Sequence, residues 1–119
     1  MVTWDESWRF TINYQPPAPK YAKAKIANIT IIEPTGQVHQ IKSSGGQALV
    51  ASQTVRIIVT LSNIGEASGK LSAELLVGGS SKGIKTTSGD VPVGGVSTVS
   101  WDSVQLPGTS NTLTVRAGH

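Results

Sequence analysis

Apolar and polar residues alternate with a period of two in segment after segment of this chain, and that pattern is the signature of half-buried strands. Trp8, Phe10, Ile12 and Tyr14 alternate with Arg9, Thr11, Asn13 and Gln15. Val55, Ile57, Val59 and Leu61 alternate with Arg56, Thr60 and Ser62, with Ile58 the exception, and Leu71, Ala73, Leu75 and Val77 alternate with Ser72, Glu74, Leu76 and Gly78. Val99 and Trp101, then Leu113 and Val115, repeat the pattern. An extended backbone sends successive side chains to opposite faces, so each segment has one apolar face to bury. A helical reading fails on the same residues: no stretch of a dozen positions repeats apolar groups at i, i+3 and i+4 without Gly, Pro or a β-branched residue intruding.

Turn chemistry divides the segments. Ile26 to Ile32 reads as the first strand of a body, Pro34 to Gly46 as polar connection, Asn63 to Gly69 as a turn, and residues 81–88 as a short polar strand or loop. Gly45-Gly46, Gly78-Gly79 and Gly94-Gly95 supply the backbone freedom of turns or bulges. Spaced strands with Gly/Pro turns predict an all-β sandwich. At 119 residues the chain fits one domain with a core of its own. Pro16, Pro17 and Pro19 lack backbone donors and favour an extended path, so residues 1–22 are expected to form a β-arm with a proline-rich connector, and residues 23–119 the sandwich.

The absence of cysteine removes disulfides, thiolate metal sites and thiol nucleophiles together. Ten Lys+Arg against seven Asp+Glu is a mild basic surplus. Its one tight grouping, Lys20, Lys23 and Lys25, reads as a solvated linker, so nucleic acid is not an expected partner; a weak role through these lysines and Arg9 is the residual alternative. The start, MVTWDESWRF, carries acids where a signal peptide needs a basic region, and no apolar run approaches the ~20 residues of a membrane span.

Catalytic groups are sparse. His39 and His119 are the two imidazoles, and His119 ends the chain, so a triad would lean on His39 alone. Asp5, Asp90 and Asp102 sit in segments that read as loops or strand ends, and no G-x-S-x-G elbow precedes a helix. Gly65 to Leu71 has three residues between its outer glycines where a phosphate-binding loop requires four, and Leu71 stands where a hydroxyl should hold magnesium. No spaced aspartates offer calcium its oxygens, and Asn28-Ile29-Thr30, a glycosylation sequon, lies inside a predicted strand. Neither an enzyme activity nor a cofactor or metal site is expected.

Three runs carry a family resemblance: VRIIVTLSNIGEASGKLSAELLV (Val55 to Val77) with Asn63 and Gly65 at its turn, VPVGGVSTVSW (Val91 to Trp101), and PGTSNTLTV (Pro107 to Val115). Over residues 24 to the end, this order resembles the CARDB-type immunoglobulin-like domains of bacterial and archaeal surface proteins. The resemblance implies an immunoglobulin-like antiparallel sandwich of about seven strands, no enzymatic activity, and a role as a stalk, adhesion or display module. Counted along it, Asn111 to Ala117 looks like the sixth strand of seven, while a surplus strand, Ser7 to Tyr14, stands before the proline connector.

An open sheet edge invites an added strand. The arm is therefore expected to fill the missing edge, either of its own domain or of a neighbouring copy, with Trp8, Phe10, Ile12 and Tyr14 supplying side-chain contacts. Together with Trp4 they form an aromatic stripe too apolar to leave in water, whereas Trp101, in phase with Val99, reads as core. These features point to a non-enzymatic structural or adhesion module, a homo-oligomer or a subunit of a virion, tail, filament or cell-surface layer, at an extracellular surface or in a virion. The alternative is a carbohydrate-binding module in which Trp4, Trp8 or Tyr14 stacks on a glycan.

Overall fold

The structure, a computed structural model, describes residues 2–14 and 20–119. Its seven strands are β1 (Ala24–Ile32), β2 (Val38–Ile41), β3 (Thr54–Asn63), β4 (Ser72–Val77), β5 (Ser80–Thr86), β6 (Val96–Gln105) and β7 (Leu113–Gly118). They form two antiparallel sheets, one in the order β2-β1-β3-β6 and one in the order β5-β4-β7. The alternation predicted at Val55–Leu61 and Leu71–Val77 sends those side chains inward: Ile57, Val59, Leu61, Leu71 and Leu75 are all essentially inaccessible to solvent. Val99, Trp101 and Val104 of β6 and Val91 complete the core, and Ala22 packs into it ahead of β1. Trp101 is core as expected, and its indole Nε1 donates across the sandwich to the Gly83 carbonyl at 3.2 Å, which spares a buried N–H from going unpaired.

Two short devices set the topology. β4 and β5 are joined by Gly78-Gly79 alone, with φ of 57° and 87°, the left-handed pair that a two-residue hairpin matching strand twist requires. Asn63, at the end of β3, is fully buried and ties three loops together. Its Oδ1 accepts from the N–H groups of Lys23 (3.2 Å) and Gly65 (2.9 Å), and its Nδ2 donates to the carbonyls of Ala67 (2.9 Å) and Val91 (2.8 Å). Gly65 is needed for close approach: a Cβ there would stand 2.4 Å from the Tyr21 carbonyl oxygen and 2.5 Å from the Lys23 nitrogen.

The strand count corrects one expectation. Counting had made the strand at Asn111 to Ala117 the sixth, whereas β7 is the seventh, because Val38–Ile41 pairs with β1 inside the stretch read as polar connection. The tight turn at Pro34-Thr35-Gly36, closed by the Gly36 N–H on the Glu33 carbonyl at 2.8 Å, folds that segment back. Among the described residues the edge anticipated beyond the strand at Asn111 to Ala117 is nevertheless open, since β7 pairs with β4 on one side only.

Truncating Asn63 removes the side-chain partner of the Ala67 carbonyl and of the Lys23 and Gly65 amides, and leaves the buried Val91 carbonyl with the Gly69 N–H alone; each unsatisfied group costs roughly 1–3 kcal/mol. Asn63→Ala is expected to lower stability by ~3 kcal/mol and the melting temperature by on the order of 10 °C or more, read by thermal unfolding followed by circular dichroism.

Candidate assembly site

Across the sandwich, β1 lies against β7 and β6 against β5. With the sheet orders as they are, β3 sits over β4, and β2 projects past β7 with no strand of the second sheet opposite it. Between this overhang and β7 opens a cleft of about 1060 Å³. Ile29, Ile31 and Ile41 line one wall and Leu113 and Val115 the other, the loop Lys42 to Gln53 between β2 and β3 runs along it, and Leu75 lies among its lining. All but Leu75 are only half-buried, in contrast to their sealed counterparts on β3.

The wall made by β1 and β2 is braced by a buried carboxylate that sequence reasoning passed over. Glu33, just past the end of β1, is 2% exposed. Its Oε2 lies 2.7 Å from His39 Nε2, and its Oε1 accepts the N–H groups of Ala51 (2.7 Å) and Ser52 (3.0 Å). The hydrogen bond to His39 is the main influence holding the Glu33 carboxyl below its ordinary value of 4.5; burial pushes the other way, and the two backbone amides then add to the lowering. Both oxygens are committed to fastening β2 and the loop before β3 to β1, so the pair is a brace. His39, the one imidazole a triad had to lean on, is the side chain that Glu33 holds through Nε2. The signal was available in Glu33 and His39 flanking a Pro-Thr-Gly turn.

β7 offers the cleft a backbone edge. The Gly78 N–H donates to the Thr112 carbonyl at 2.8 Å, in register with the pairs Leu76↔Thr114 and Glu74↔Arg116. In an antiparallel ladder the groups pointing at a given neighbour come from alternate residues. The N–H and C=O groups of Thr114 and Arg116 therefore serve β4, and those of Leu113, Val115 and Ala117 point to the free edge. The side chains of the same three residues point inward.

The predicted arm residues lie away from this cleft. Trp4, Trp8, Phe10, Ile12 and Tyr14 are 86, 82, 79, 84 and 84% exposed, so none packs on its own body. Ser7–Tyr14 forms no strand, contrary to its alternation, because a strand needs a neighbour to complete its ladder and nothing is paired with it here. Trp8 Nε1 donates to Glu6 Oε1 at 2.6 Å within the arm. Of the proline-rich connector expected from Gln15 to about Ala22, residues 15–19 lie outside the described residues. The molecule is 96 Å long and about 25 Å across, so the arm projects. Where the chain enters the body, Tyr21 stacks on His119, ring centroids 5.3 Å apart, which places the root of the arm at the C-terminal end of β7.

Comparison with known protein families, curated proteins and solved structures gives no match. Among the described residues no helix is long and apolar enough to cross a membrane, and no three His, Asp or Glu side chains gather as a metal site.

Because the folded state holds Glu33 deprotonated more firmly than the unfolded chain does, its contribution to stability is present above the unfolded carboxyl range and is lost as pH falls through the depressed folded value. Denaturant unfolding at a series of pH values from 6 down to 3 is expected to show a loss of stability that is visibly smaller in Glu33→Gln.

Proposed function

We propose that this protein is a non-enzymatic structural module that assembles through its N-terminal arm, as a subunit of a filament, virion, tail or cell-surface layer. One observation carries the reading: five large apolar side chains stand almost fully exposed within the eleven residues from Trp4 to Tyr14. An apolar stripe of that density marks an interaction surface, because leaving it in water is costly. The proline-rich connector supports the same role, since it sets the stripe off from the sandwich. The CARDB-type resemblance also fits, as domains of that kind serve as stalk, adhesion or display modules.

A carbohydrate-binding module is the second reading, favoured by the exposure of Trp4 and Trp8, whose faces suit stacking on sugar rings. The two readings separate on Phe10 and Ile12. Assembly uses the whole stripe, whereas a sugar platform rests on the tryptophans.

The test is sedimentation velocity of the full chain against a Phe10→Asp, Ile12→Asp double variant. The wild type is expected to sediment as a multimer and the variant as a monomer of 12.4 kDa, with the melting temperature of the body unchanged. A monomeric wild type that binds a glycan array through Trp4 or Trp8 overturns the assembly reading in favour of the second.

A further inference from the structure

We infer that the acceptor for the arm is the cleft beside β7 of a second copy, into which Trp8 to Tyr14 inserts as an added antiparallel strand, linking copies head to tail. The inference rests on the assembly reading above and names the surface that receives the arm.

Three independent features of donor and acceptor match. The first is length: seven residues from Trp8 to Tyr14 span about 20 Å as a strand, and the six residues of β7 span nearly the same. The second is parity. Leu113, Val115 and Ala117 combine free-edge backbone groups with inward side chains, and directly opposed residues of an antiparallel pair share a face. An incoming strand that sets Phe10, Ile12 and Tyr14 opposite these three directs the whole stripe into the cleft and Arg9, Thr11 and Asn13 to solvent. A slip of one residue turns the stripe outward, so only two-residue steps are compatible. The third is position: the added strand lies opposite β2, over the half-buried Ile29, Ile31 and Ile41.

A second copy is favoured over the chain's own arm by the root of the arm. Tyr21 is docked at the C-terminal end of β7. The direct path back into its own cleft runs towards Tyr21, parallel to β7, which is the weaker pairing. The antiparallel alternative spends the whole connector, since Gln15 to Lys20 must first cross the ~20 Å length of β7. An arm arriving from another molecule has neither constraint, and in the structure none of the five large apolar side chains of the arm packs on its own body. Because donor and acceptor are different surfaces, the contact is heterologous and extends into an open chain unless its rotation closes a ring.

The experiment uses two full-length variants. The donor-blocked chain carries Phe10→Asp and Ile12→Asp. The acceptor-blocked chain carries Val115→Pro, which deletes a free-edge N–H without removing a bond to β4, a position where an edge strand tolerates proline. Ile41→Lys, on the opposite wall, serves as the acceptor block if Val115→Pro lowers the melting temperature. Each variant alone is expected to sediment as a monomer. Mixed in equal amounts they are expected to give a two-chain species and nothing longer, because the acceptor-blocked chain still donates and the donor-blocked chain still accepts. Wild-type assembly by the folded acceptor-blocked chain, or a mixture that stays monomeric, overturns the inference. If assembly is lost in the donor-blocked chain alone, the arm reading stands and only the cleft assignment falls.

Discussion

A β-sandwich is held by burying the inner faces of two sheets against each other, and here four strands face three. The seven strands share one core, but that core is closed on only one flank. Where β6 meets β5, Trp101 reaches over and donates to Gly83, and the apolar groups beneath are inaccessible. Where β1 and β2 overhang β7, isoleucines and the inner side chains of β7 stay half in water. The same mismatch yields both an apolar cleft and an unpaired backbone edge. These are the two components of a strand-addition site.

The open flank does not collapse because each side of it is fixed from elsewhere. Glu33 clamps β2 and the loop ahead of β3 onto the end of β1 through three hydrogen bonds, so the overhang is braced although among the described residues no strand of the second sheet lies opposite β2. At the other end Asn63 ties the β3 turn to the entry of the chain and to Val91, and Gly65 lets Tyr21 approach closely enough to reach His119. A buried amide and a buried carboxylate thus hold the frame in which the cleft stays open. Asn63 acts on backbone groups alone, whereas Glu33 joins two backbone amides to the His39 ring.

The strands that form the core were legible because each had a full apolar face: Val55 to Leu61 and Leu71 to Val77 alternate, and their inward residues are the buried ones. β2 was not legible. Four residues, Val38 to Ile41, with a histidine on the inner face, carry too little alternation to register, and their pairing depends on the Pro34-Thr35-Gly36 turn and on Glu33. The arm shows the converse. Its alternation is the clearest in the chain, yet Ser7–Tyr14 is no strand in a single molecule, since periodicity encodes which side chains share a face and not whether a neighbour exists to pair with. Trp4, Trp8, Phe10, Ile12 and Tyr14 could be picked out as an unburied stripe, but the cleft that complements them depends on strand order, which no local pattern contains.

The energetics of the arm explain why it would stay unpaired alone and order on contact. Fixing seven backbone residues costs about 7–14 kcal/mol, and burying four large side chains returns about 6–12 kcal/mol, so donor burial by itself roughly cancels the ordering cost. The acceptor supplies the difference. Ile29, Ile31, Ile41, Leu113 and Val115 are already held in place by the folded body, so covering their remaining surface adds hydrophobic free energy with little further loss of freedom. The ladder bonds to Leu113, Val115 and Ala117 add to that surplus. An ordered groove receiving an unstructured strand therefore places the favourable terms on the rigid partner, and a second copy of the same fold presents that groove without any new surface being required.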